Sequence, residues 1–352
     1  MRVFAGIDEA GYGPKFGPLT AGRCVLAIDE SAAASDVAEP VDFWTLLNAA
    51  VCRKPRDPDR RIAVADSKKL TVSGKHGHGA VPHLERAVLA FGALHATRFE
   101  MPGDFAALLD RFGSQHHRRT DLPAWYAEDT DAPWDALPVA TAAVAKRNGH
   151  DADSLALDAG LLRRAARHTG LSAGGDNPCL GVAVLCEDAF NAKLARSASK
   201  ADVSFTLIAH HLRHVWERHG QHHPQVVVDR QGGRTRYSSR LSRSIPGASV
   251  SIVEEHADVS AYELRDSAAG RSMSVRFMPK ADDLHLPVAL ASMTAKYVRE
   301  LYMARFQRWF AHRLPEVKPT AGYGTDANRF ARDLAPHLAR LDIEKARLIR
   351  RA

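Results

Sequence analysis

Two adjacent carboxylates, Asp8 and Glu9, close a short apolar run, Val3-Phe4-Ala5-Gly6-Ile7, and Gly11, Gly13 and Pro14 follow at once. Two further carboxylates recur in similar settings. Asp229 ends the run Val226-Val227-Val228, and Asp282 stands just ahead of a long helical stretch. Four acids gathered at strand and helix ends suit a pair of magnesium ions. Magnesium takes only a few carboxylates and fills its remaining positions with water and substrate phosphate oxygens. Two such ions about 4 Å apart clamp the attacking and leaving oxygens of an in-line displacement. The chemistry is phosphodiester cleavage. Asp229 ends a run too apolar for a surface strand, so its charge needs a partner. Asp283 competes with Asp282 for the fourth role. Adjacent strand residues face opposite sides, so Asp8 and Glu9 reach one site only if the strand twists or ends there.

The elements that must carry these acids are legible as alternating strands and helices. Residues 2–8 and Thr20 to Ile28 read as two strands, with Gly17-Pro18 between them and a tight antiparallel connection expected. Leu84, Val88, Phe91 and Leu94 have helical spacing, and 95–101 reads as a further strand. One more helix is expected near 153–168, a strand from Gly181 to Leu185, and an amphipathic helix over 203–218. Strands follow at Gln225 to Val228, 248–253 and 273–278. A long helix over 288–311 carries Leu290, Met293, Tyr297, Leu301 and Ala304 on one stripe, and 326–350 reads as helical and basic. This alternation argues an α/β fold. Residues 103–180, with Pro123, Pro133, Pro138 and Gly174-Gly175-Asp176, change character and read as an insertion. A structureless loop of that length is improbable.

Length and charge bound the reading further. The chain has 352 residues, 45% of them hydrophobic and 25% charged, with a net charge of +7. That is long enough for a sizeable core, and the basic balance favours an anionic partner, nucleic acid first. None of Cys24, Cys52, Cys179 and Cys186 forms a C-x-x-C pair, and no stretch approaches 18 uninterrupted apolar residues. The first residues go straight into a strand-like run without a leader pattern. The expectation is a cytoplasmic protein that does not enter membranes. His210 and His214 lack the glutamate and third ligand of a zinc helix, and Gly11 to Gly17 lacks the ending of a P-loop.

Five segments, in order, resemble one family. Gly6-Ile7-Asp8-Glu9-Ala10-Gly11 and Asp66-Ser67-Lys68-Lys69-Leu70 look like the opening signatures of type 2 ribonucleases H. Val226-Val227-Val228-Asp229 resembles the third signature strand. Lys280-Ala281-Asp282, followed by Ala291 to Lys296, resembles the fourth, and Gly322-Tyr323-Gly324-Thr325 the C-terminal motif. The resemblance covers roughly 1–100 and 181–330 and echoes both ribonuclease HII and ribonuclease HIII. It implies a ribonuclease H-like fold: a mixed sheet flanked by helices, with a catalytic core over 1–102 and 181–312. The insertion, a lid or small subdomain, would be 103–180, and the helical C-terminal extension 313–352.

The resemblance also implies a function. Asp8, Glu9, Asp229 and Asp282 match the four acidic positions that hold two divalent ions, magnesium or manganese. The reaction would be endonucleolytic hydrolysis of RNA in RNA–DNA hybrids, or of ribonucleotides in duplex DNA, leaving 3′-hydroxyl and 5′-phosphate ends. A monomer is the default. Gly11, Tyr12 and Gly13 match the glycine turn that reads the ribose 2′-hydroxyl, with tyrosine where ribonuclease HII has arginine. Tyr323 matches the tyrosine that packs on the sugar. Lys68 and Lys69 are either a solvated turn or a phosphate contact, and the arginines from Arg230 to Arg243 are either a solvated run or a phosphate track. Two other readings stay open: a nuclease of the same fold acting on another structured nucleic acid, and a hybrid-binding protein without turnover.

Overall fold

The computed structural model describes residues 1–29, 41–66, 69–70, 81–113, 122–127, 152–173, 175 and 178–351. Its centre is an eight-stranded mixed sheet. The strands are β1 (Arg2–Ala10), β2 (Leu19–Ile28), β5 (Leu171–Ser172), β6 (Leu180–Leu185), β7 (Gln225–Asp229), β8 (Ser249–Glu255), β9 (Ser260–Asp266) and β10 (Arg271–Met278). Two short strands, β3 (Val51–Cys52) and β4 (Ile62–Ala63), pair apart from it. The order across the sheet is β5-β2-β1-β7-β10-β9-β8, with β6 also on the outer edge of β2. β1 pairs antiparallel with β2 and parallel with β7, and β7 pairs parallel with β10.

The central strands are buried on both faces, as a sheet covered by two helical layers requires. Val3, Ala5 and Ile7 of β1 join Val25 and Ala27 in a core under the helix Lys200–His219. Phe4 points the other way and packs with Leu26, Ile28 and the long helix Leu286–Arg313. Glycine sets how closely that helix approaches. A Cβ on Gly6 would stand 2.1 Å from the Pro287 carbonyl carbon, and one on Gly22 would stand 2.0 Å from the Ala291 oxygen. Thr20 donates its hydroxyl to the Ala295 carbonyl at 2.9 Å. The helix lies directly on the backbone of β1 and β2, where the first two carboxylates emerge.

The fold is the expected mixed sheet between helices, and most elements fall where periodicity put them. The strand expected at 95–101 is a correction. That stretch leaves the helix Val81–Gly92 through successive turns, with Leu94 N–H donating to Phe91 and Ala96 N–H to Ala93. It ends at an exposed Arg98–Glu100 pair. Local turn bonds use the backbone groups a strand would need. The basic tail is helical only over Gly324–Leu334, Ala335–His337 and Lys345–Leu348. Asp282 lies in a separate short helix, Ala281–Leu284, ahead of the long one. Within 103–180, the helices Phe105–Arg111, Ala124–Ala127 and Ala152–His168 bury Phe105, Trp125, Tyr126, Leu155 and Leu162 in the core beneath the long helix. No helix of the described residues is long and apolar enough to cross a membrane.

Candidate active site

The site begins where β7 stops. Its pairing with β1 ends at Ile7 opposite Val228, whereas β1 continues through Asp8, Glu9 and Ala10 paired with β2. Asp229, the last residue of β7, stands beside this extension at the C-terminal ends of two parallel strands. Asp8 and Glu9 do face opposite sides of the sheet. Asp8 follows the parity of Phe4 and Gly6 toward the long helix, where Ser292 hydrogen-bonds its carboxylate. Its Oδ1 also accepts from the Glu9 N–H at 2.7 Å. Glu9 follows the parity of Ala5 and Ile7. Gln231 donates to its Oε2 at 3.4 Å and to the Ser204 hydroxyl at 2.7 Å, linking it to the helix Lys200–His219. β1 itself does not end at these acids but runs on through Ala10; it is β7 that stops, which leaves Asp229 beside both.

Electrostatics show the three acting on one another. Burial raises the Asp8 carboxyl well above its usual range, and Glu9 and Asp229 raise it further. Glu9 is pushed up to about 7, first by burial and then by Asp229. Like charges so placed cannot all ionise without a compensating cation. Asp229 is oriented from below: its Oδ1 accepts from the Ala281 N–H at 2.8 Å. That bond brings the next residue, Asp282, to the border of the site, yet the acids acting on its half-buried carboxyl are Asp66 and Asp283. Asp283 in turn takes the Lys69 ammonium at 2.5 Å. The structure therefore gathers Asp8, Glu9 and Asp229 and leaves Asp282 against a neighbouring acidic pair.

The donor chemistry of this trio suits a hard divalent cation, which prefers carboxylate oxygens. Among the described residues, however, no group of three or more His, Cys, Asp and Glu side chains is placed so that it could hold a metal ion. A cation drawn between them would relieve the burial and repulsion that raise Asp8 and Glu9.

The loop after β1 carries the glycine turn and an exposed tyrosine. Gly11 has φ +83°, and a Cβ there would meet the Pro18 oxygen at 2.7 Å. Tyr12 is 37% exposed, with the Lys200 ammonium 5.2 Å from its ring centre, and space beside Gly13 is open. Tyr323 is 52% exposed on a second loop, with the Arg299 guanidinium 5.7 Å from its ring. The loops adjoin: Lys15 N–H donates to the Gly322 carbonyl at 2.8 Å, and Lys15 Nζ to Asn328 Oδ1 at 2.7 Å. Each of the two adjoining loops thus exposes an aromatic face with a cation near it, and Tyr12 lies within electrostatic reach of Glu9. Lys68 lies outside the described residues.

Three arginines of the run are occupied within the protein. Arg234 and Arg240 both bond Asp202 Oδ1, at 3.0 and 2.7 Å, and Arg230 donates to the carbonyls of His256 and Ala257. The other two arginines of the run, Arg236 and Arg243, are exposed. Sequence reasoning missed Ser292, Gln231, Lys200 and Arg350 around the site. Gln231 follows Asp229 by two residues and Ser292 lies in the Ala291–Lys296 motif, but neither type marks a partner for a carboxylate; Lys200 and Arg350 arrive from distant elements.

In structure the chain is similar to several solved type 2 ribonucleases H. One is ribonuclease HII of Archaeoglobus fulgidus, solved in complex with PCNA. It is 14% identical over 98% of this chain and 91% of that chain, with a TM-score of 0.37. Another is ribonuclease H2 of Pyrococcus horikoshii, 15% identical over 98% of this chain and 92% of that one, TM-score 0.38. A third is ribonuclease H3 of Aquifex aeolicus, 13% identical over 98% of this chain and 70% of that one, TM-score 0.38. No family model matches the chain, and no curated protein matches it by sequence.

Proposed function

We propose that the chain is a divalent-metal-dependent endoribonuclease. It hydrolyses the RNA strand of RNA–DNA hybrids, or RNA embedded in duplex DNA, and leaves 3′-hydroxyl and 5′-phosphate ends. The observation that carries this reading is the grouping of three carboxylates at the C-terminal ends of β1 and β7, where Glu9 and Asp229 raise Asp8, and Asp229 raises Glu9. Carboxylates so close oppose one another's ionisation, and a cation among them would relieve that cost. Asp8, Glu9 and Asp229 would hold magnesium or manganese, with Asp282 as the fourth acid. When bound, such ions polarise a phosphoryl oxygen and make hydroxide available at neutral pH. The chain's own residues do the rest. Ser292 and Gln231 orient Asp8 and Glu9, and Ala281 orients Asp229. Tyr12 and Tyr323 offer faces on which a base or ribose stacks, a contact worth about 1–3 kcal/mol per base. The backbone of Gly11 and Gly13 approaches the sugar, and Lys68 would contact phosphate. The division into a core, a 103–180 insertion and a 313–352 extension belongs to the same reading.

The test is cleavage with magnesium or manganese of two matched duplexes, one a full RNA–DNA hybrid and one DNA with a single ribonucleotide. Cleavage of either, lost in Asp8→Asn and Asp229→Asn, is the expected result. Hybrid binding without cleavage by the unaltered protein would mean a binding protein instead. A second reading, a nuclease for another structured nucleic acid, is favoured by the exposed Tyr12 phenol in the glycine turn. In that case cleavage would not require ribose in the cut strand.

A further inference from the structure

Arg350 is fully buried, far along the chain from the carboxylates, in a stretch whose composition reads as a solvated basic tail. Its guanidinium lies under the turn that follows β1. Nη2 donates to the Gly11 carbonyl at 2.5 Å and to the Pro14 carbonyl, and Nε donates to Pro14 at 3.0 Å. The Arg350 N–H donates to the Lys15 carbonyl at 2.9 Å, and the guanidinium stacks 4.9 Å from the Phe190 ring. A single asparagine holds the segment that delivers it. Asn191 Nδ2 donates to the carbonyls of Ala346 and Ile349, at 2.7 and 2.8 Å, and its Oδ1 accepts from the Arg351 N–H at 2.7 Å.

Burying a guanidinium is expensive unless its donors are used. Here Nε and Nη2 donate to carbonyls of one turn, three of whose four residues are Gly11, Gly13 and Pro14, while Nη1 has no hydrogen-bond partner among the described residues. A glycine turn on its own has many conformations of similar energy. Arg350 selects one by binding the turn at both ends. The neighbouring carboxylates need no such help, because β1 is held to β2 at nine registered positions through Ala10. The turn carries Tyr12, not the acids.

We infer that Arg350 is a positioning residue: it locks the Gly11–Pro14 turn so that Tyr12 is presented to the nucleic acid. This rests on the nuclease reading above for its functional half, whereas the lock itself does not. Two variants test it, Arg350→Met and, should that protein fail to fold, Asn191→Ser. Amide hydrogen exchange reads the lock directly, and steady-state cleavage of an RNA–DNA hybrid reads its consequence. Exchange at Tyr12, Gly13 and Lys15 should quicken by about tenfold or more while the β7 amides stay protected. KM should rise about tenfold with kcat within about threefold, because a substrate contact is loosened and the acids are not. Arg350→Lys, which keeps a donor under the turn, should recover part of the KM. Unchanged exchange in the turn overturns the lock. Quickened exchange with KM unchanged, and kcat falling only as the protein loses stability, overturns the positioning role. If the unaltered protein cleaves nothing, the nuclease reading fails and the exchange result still decides the lock.

Discussion

At the scale of single residues, three carboxylates and two tyrosines carry the chemistry proposed for this chain. Asp8 and Glu9 stood out because further carboxylates, Asp229 and Asp282, recur downstream in similar settings; two acids ending an apolar run are by themselves a weak signal. Their opposite orientation was foreseeable from strand geometry, but its resolution by the early end of β7 was not. The tyrosines make a separable prediction. Tyr12→Ala and Tyr323→Ala should each weaken hybrid binding by about 1–3 kcal/mol, read as a rise in KM or Kd with kcat little changed. Either substitution costing kcat alone would place that tyrosine nearer the reacting atoms than its exposed ring suggests.

Among the elements, the helix Lys200–His219 shows how charge is settled locally. Ser199 caps it, accepting from the Asp202 N–H at 3.2 Å and donating to Asp202 Oδ2 at 2.7 Å. Although burial opposes it, Asp202 is held down at about 2 by Ser199, Arg240 and Arg234. A carboxyl depressed in the folded state stabilises above its unfolded pKa, near 4, and loses that contribution as pH falls through its folded value. Asp202→Asn should therefore destabilise at pH 7 by on the order of 1 kcal/mol after solvent screening, and the difference should vanish near pH 2. Urea unfolding at the two pH values measures it. The long helix makes a steric prediction. Gly6→Ala forces a methyl onto the Pro287 backbone, so it should cost about 3 kcal/mol or more and disturb Asp8 two residues on. An unfolding midpoint equal to that of the unaltered protein would mean the helix can move away.

Over the whole molecule, contacts between sequence-distant parts decide where the proposed site stands. Arg86 bonds Asp158 at 2.6 and 2.7 Å, fastening the helix Ala152–His168 to the helix Val81–Gly92 with both side chains largely buried. Removing one partner strands a charge. Arg86→Met should cost about 3–5 kcal/mol, and Arg86→Met with Asp158→Leu should recover much of it. Equal losses in the single and double variants, measured by thermal unfolding, would show that the pair is not what holds this helix.

Much of the architecture follows from patterns within a dozen residues. Val226 to Val228 announce a buried strand, and the stripe from Leu290 to Leu301 announces the long helix, because burial periodicity is local. The stretch 95–101 misled since its alternation is made of residues that turn bonds satisfy, and β9 escaped notice because Tyr262 and Leu264 are too few to mark a strand. By itself, the sequence determined the kinds of residue available to the site, the elements that carry them and their order along the chain. Tertiary structure alone decided that Asp8, Glu9 and Asp229 share one strand end, that Asp282 faces Asp66 and Asp283, and that Arg350 lies beneath the glycine turn. Those outcomes depend on which strand stops first and which backbone a distant side chain reaches, and no local pattern encodes either.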